Sequence, residues 1–86
     1  MMQLIVRTYE YQDQGAVLIL EHTFIGKTKK DAFHYSKSHS ETDSFYRTTG
    51  GHLAAGAALR GEPTIIHASY KGIATVTDAH FRRRAR

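Results

Sequence analysis

Two runs near the start of the chain, Met2 to Tyr11 and Ala16 to Ile25, are rich in Val, Ile, Leu, Thr, Tyr and Phe. Only Gln12-Asp13-Gln14-Gly15 separates them. A polar turn with glycine late in it, between two β-prone runs, predicts a β-hairpin. No other feature restricts the fold as much, because a hairpin fixes two strands as antiparallel neighbours and leaves a face of each in need of cover. Pairing Val6 with Leu20 and Leu4 with His22 collects Leu4, Val6, Leu18, Leu20 and Phe24 on one face. Arg7, Tyr9 and Glu21 then fall on the other. Ile5 and Ile19 share that second face, which predicts that it is partly covered too.

Gly26 ends the second run, and Thr28-Lys29-Lys30-Asp31 follows as a capping-box-like helix start, with Thr28 accepting from the amide of Asp31. A helix from about Lys29 through His39 presents Ala32, Phe33 and Ser36 near one face and Lys30 and Lys37 outward. Ser36, Ser38 and Ser40 weaken it by competing for backbone groups, and Ser40-Glu41-Thr42-Asp43 offers a second N-cap. The region 28–48 therefore reads as one helix or as two short ones. A break near Ser40 is favoured, with Phe45 and Tyr46 anchoring the second piece to the sheet.

Gly50-Gly51 stops the helical region. His52 to Leu59 is small and apolar around Gly56, and suits either a closely packed short helix or a loop. After a turn at Gly61-Glu62-Pro63, residues 64–70 alternate as a strand does. Lys71-Gly72 then either turns the chain into another strand, Ile73 to Thr77, or marks a bulge within one long strand. The order ββα(α)ββ predicts an α+β fold, a small antiparallel sheet with helical segments packed on one face.

At 86 residues the chain fits one domain and buries only about 60–65% of the surface its unfolded form exposes. So small a core gains from a partner copy, and a homodimer is expected. The absence of cysteine excludes disulfides, Cys-ligated zinc and a thiol nucleophile, and points to the cytoplasm rather than to a disulfide-stapled secreted scaffold. The opening MMQLIVRTYEYQ lacks the apolar core of a signal peptide, and no run approaches the roughly 18 apolar residues that span a bilayer. No membrane partner is expected.

The formal net charge is +4. Residues 1–81 carry as many acidic as basic side chains, so the excess belongs to Arg82, Arg83, Arg84 and Arg86. The expected division is a single domain over 1–81 and a basic C-terminal tail over 82–86. Such a tail is either solvated or a contact for phosphate anions, including those of nucleic acid.

Six histidines stand at positions 22, 34, 39, 52, 67 and 80. His34 and His39 lie about 140° apart around a helix, no HExxH occurs, and the histidines read as scattered. A metal or small-ligand site would need long-range convergence of His22, His34 or His67, for instance His22 with His67 across neighbouring strands. Ser38, Ser40 and Ser44 lie near His34 and His39 but on no nucleophile elbow, so capping accounts for them. The stretch from Gly50 to Gly56 shares only its glycines with a phosphate loop. The carboxylates fall at turns and caps without forming an acid–base pair. No catalytic residue, metal ligand or cofactor contact is assigned. Tyr9, Tyr11, Tyr46 and Tyr70 are expected at a subunit interface rather than as base-stacking platforms, because the body carries no net charge.

The expected function is a non-enzymatic interaction domain, homo-oligomeric and able to bind a protein partner. The alternative is a nucleic-acid binder using the arginine tail and exposed aromatics. A histidine-built small-ligand or metal site ranks third.

Overall fold

The first two runs do form a hairpin, β1 (Met2–Gln12) and β2 (Gly15–Gly26). In the computed structural model, which describes residues 1–40 and 43–84, three helices follow: α1 (Lys29–Ser40), α2 (Ser44–Thr48) and α3 (Gly51–Arg60). A second hairpin, β3 (Ile66–Tyr70) and β4 (Ile73–Arg83), completes the fold. The strands form one antiparallel sheet in the order β2-β1-β4-β3, with β2 and β3 at its edges. The helices pack on one face, and the expected α+β class is the observed one.

The hairpin register differs from the expectation by two residues near its base. Leu4 lies opposite Phe24 and Val6 opposite His22. A slip of two preserves which side chains share a face, so Leu4, Val6 and Phe24 still point at the helices and join the core. Farther along, Thr8 lies opposite Leu20 but Tyr9 opposite Leu18, leaving Ile19 as the extra residue of a bulge. One inserted residue reverses the alternation. Leu18 therefore lies on the face of Tyr9 and not, as expected, with Leu4 and Val6.

Ala32 from α1, Tyr46 from α2, and Ala54 and Ala55 from α3 meet Leu4, Val6, Phe24 and Ala79 from the sheet. Small side chains let the backbones approach. A Cβ on Gly51 would sit 2.7 Å from the Tyr46 ring, so only glycine fits there. Of the two readings of residues 52–59, the closely packed helix is the one realised. It closes on Gly61 at φ 71°, with the Glu62 amide donating to the Ala57 carbonyl at 2.9 Å.

The helical region 28–48 is broken, as favoured. Thr28 accepts from the Asp31 amide at 3.1 Å at the start of α1, and the Asp43 carboxylate caps α2 by accepting from the Tyr46 amide at 3.1 Å. Lys71 and Gly72 both have positive φ, 52° and 83°, the geometry of a two-residue hairpin turn. Residues 64–77 thus hold two strands.

β4 runs past the predicted end at Thr77 and reaches Arg83, because β1 offers it a ladder from Thr75 to Arg83. Arg82 lies opposite Gln3 and Arg83 opposite Met2, while the Arg84 amide donates to the Met1 carbonyl at 2.9 Å. The expected tail over 82–86 therefore begins inside the last strand. Arg86 lies outside the described residues.

Strand and helix lengths do not match. The 12 residues of β2 span about 40 Å at roughly 3.3 Å each, close to the 39 Å long axis of the molecule. The 12 residues of α1 span only about 18 Å. Part of the sheet has to lie beyond the helix beside it. No helix among the described residues is long and apolar enough to cross a membrane.

Candidate functional site

β1 runs antiparallel to both β2 and β4, so the two hairpin turns lie at the same end of the sheet. This tip is where α1 no longer covers β2. Val17, Leu18, Ile19 and Leu20 are all exposed, by 39–47%. The register puts Val17 and Leu20 on the helix side and Leu18 beside Tyr9 on the bare side. Tyr11, on that bare side, is exposed and stacks on His67 with centroids 6.3 Å apart. Ile73, opposite Tyr70 in the second turn, is exposed as well.

Of the four tyrosines expected at an interface, Tyr9 and Tyr11 flank this arm. Tyr70 is half-buried, meeting Phe45 edge-on at 4.8 Å with the Lys71 ammonium 5.4 Å from its centroid. Tyr46 is a core residue, 1% exposed. The helix break turns its ring onto the sheet between α3 and β2, and an interface cannot reach it.

The covered half of β2 is built differently. His22 stacks beside Phe24 at 6.0 Å and meets the Tyr46 ring edge-on at 5.0 Å. Its Nε2 lies 2.9 Å from Asp43 Oδ2. Partial burial pushes the Asp43 carboxyl up, but hydrogen bonds from the Tyr46 amide and from His22 outweigh it, and the net pKa is lowered. Burial raises the Tyr46 phenol to about 12. The pair ties the start of α2, which Asp43 caps, to β2.

Convergence of the histidines fails on topology. His22 lies on one edge strand facing the helices and His67 on the other edge strand facing away, with His34 exposed on α1. Among the described residues no three His, Asp or Glu side chains come together as a metal site would require.

The end of the sheet opposite the tip gathers charge. Gly26 and Arg83 both lie opposite Met2, so the end of β2 and the end of β4 flank the start of β1. Lys27, Lys29 and Lys30 follow Gly26 directly and thereby join Arg82, Arg83 and Arg84. The Lys29 ammonium lies 5.7 Å from the centroid of Phe81, on β4, which ties the two segments together. Among the described residues none of these six cations forms an ion pair. Asp31 directly follows Lys30 in the chain.

Comparison with known proteins finds no matching family model, no matching curated protein and no matching solved structure.

Two features escape a reading of the sequence. The lysines joined to the arginines carry no local signal, since only the β1–β4 register brings positions 27–30 and 82–84 together. The bare arm does carry one. Val17 to Leu20 is apolar at four consecutive positions, which fits a strand in contact on both faces. Polar side chains return only at Glu21, His22 and Thr23.

Proposed function

We propose that the protein is a non-enzymatic interaction domain that acts as a homodimer, its subunits joined through the bare half of β2. The observation that carries this reading is the run of four exposed apolar side chains, Val17 to Leu20, at one end of an edge strand. Exposed apolar residues scattered singly need no explanation, but a contiguous group marks a contact surface.

A second copy of the chain is the occupant that fits. Positions 15–20 carry no charge, and the nearest charge on the strand, Glu21, is matched by Arg7 at 2.7 Å within the same subunit. Identical arms therefore meet without like-charge repulsion. The core supplies the motive, for among the described residues Ala32, Ala54, Ala55, Ala57 and Ala79 make up half of the buried hydrophobic ones. Alanines bury little area, and association adds what the core lacks. The bulge at Ile19 blunts the edge as a template for a continued ladder, so the joint is one of side chains: Val17 and Leu20 from one face, Leu18 with Tyr9 and Tyr11 from the other. The lack of cysteine suits a reducing compartment, and we place the dimer in the cytoplasm.

Size-exclusion chromatography with light scattering tests the reading on the full chain. The wild type should run at twice 9.7 kDa, and Leu18→Lys or Leu20→Lys should convert it to a monomer with unchanged far-UV circular dichroism. A wild type that stays monomeric at high micromolar concentration, or variants that remain dimeric, would overturn it.

A further inference from the structure

We infer that the end of the sheet opposite the apolar arm is a binding face for the phosphate backbone of double-stranded nucleic acid, formed jointly by Lys27, Lys29 and Lys30 with Arg82, Arg83 and Arg84. The juxtaposition comes from the fold. Met2 lies between Gly26 and Arg83 in the ladder, so the two basic segments are about two strand spacings, or roughly 10 Å, apart. Duplex DNA carries one negative charge per about 1.7 Å of its axis, and a cationic face of that width meets several phosphates at once.

All six cations are exposed, and four of them are carried on a strand or a helix. None has a carboxylate partner among the described residues. Arg82 and Arg83 sit in β4, where Arg82 donates to the Gln3 side chain at 3.3 Å. Lys29 and Lys30 sit in the first turn of α1. Cations fixed on a strand and a helix lose less freedom on binding than a loose terminal run does. Guanidinium groups also match phosphate oxygens two at a time.

The same end argues against other anionic surfaces. Single-stranded nucleic acid is held by exposed aromatic rings, and the ring present here, Phe81, is half-buried beside Lys29. A membrane surface calls for apolar side chains to insert beside the charges, and among the described residues Met1 is the one large apolar side chain exposed at this end. Phosphate contacts without base contacts predict binding that is indifferent to sequence.

Fluorescence anisotropy of the full chain with a labelled duplex DNA of arbitrary sequence, titrated across salt concentration, tests the inference. Affinity should fall with salt at a log–log slope of about −0.9 for each phosphate engaged. Lys27→Gln with Lys30→Gln should flatten that slope by about 0.9 per lost contact, and Arg83→Gln with Arg84→Gln should do the same. Circular dichroism checks folding, and the exposed lysine pair serves as the test if the arginine pair fails to fold. No salt-dependent binding at low salt would overturn the inference. So would a slope that responds to the arginines and ignores the lysines, since the face would then not be composite. Tighter binding to phosphatidylserine vesicles than to duplex would assign the charge to a membrane and overturn it as well.

Discussion

The two halves of β2 share one strand and one neighbour, β1, yet they meet opposite fates. From His22 to Gly26 the strand lies under α1, with Phe24 in the core and the polar His22 packed among rings and held by Asp43. From Val17 to Leu20 the side chains are apolar and exposed. Polarity alone would have placed these residues the other way round. What decides their burial is length, since a strand of about 40 Å outruns a helix of about 18 Å. The apolar side chains of the bare half therefore stay outside the monomer's core.

Substitutions on the two halves should differ sharply if this comparison is right. Phe24→Ala on the covered half should cost about 3–5 kcal/mol in urea unfolding, the range for emptying a buried aromatic site. Gly51→Ala would press a Cβ against Tyr46 under the same half. It should cost about 1–3 kcal/mol in the same assay.

The His22–Asp43 link gives a smaller and pH-dependent effect. The Asp43 carboxyl titrates below its ordinary 3.8 in the folded chain. A lowered folded value means stability that is present above the unfolded pKa and lost as pH falls through the folded one. Unfolding measured from neutral pH down to about pH 3 should show this loss beginning below about pH 4. Asp43→Asn should weaken the acid dependence while largely keeping the helix cap, because asparagine caps about as well as aspartate. An unchanged acid profile in that variant would separate the pair from the stability of the covered half.

Leu18→Ala on the bare half should have the least effect. The folding free energy of the monomer should move by no more than about 0.5 kcal/mol, as at other exposed sites. The same substitution should reduce the rise of melting temperature with protein concentration that a self-associating wild type displays. A large loss of monomer stability would mean that the arm is part of the core after all.

Much of the fold is legible in the sequence because local chemistry writes it. The turn at 12–15, the Thr28 cap, the Asp43 cap of α2 and the Lys71-Gly72 turn each follow from residue types a few positions apart. The faces near the hairpin base survive a register error of two, since alternation has a period of two. Leu18 does not survive it, because nothing local announces the extra residue at Ile19. Tyr46 reads in the sequence both as an anchor of the second helical piece on the sheet and as an interface residue; the fold keeps the first role and buries the ring away from the second, because exposure depends on which helix lies over which strand. The basic face is half legible: the arginine run stands out, but its joining to Lys27, Lys29 and Lys30 depends on a pairing between the first strand and the last.

A second copy seated on the bare half of β2 would shield that half from solvent exchange. Amide hydrogen exchange followed by mass spectrometry at rising protein concentration tests it on the unmodified chain. Peptides covering residues 15–21 should gain protection as concentration rises, while those covering 22–26, already beneath α1, should change little. Protection over 15–21 that is independent of concentration, with a mass of 9.7 kDa throughout, would contradict the account.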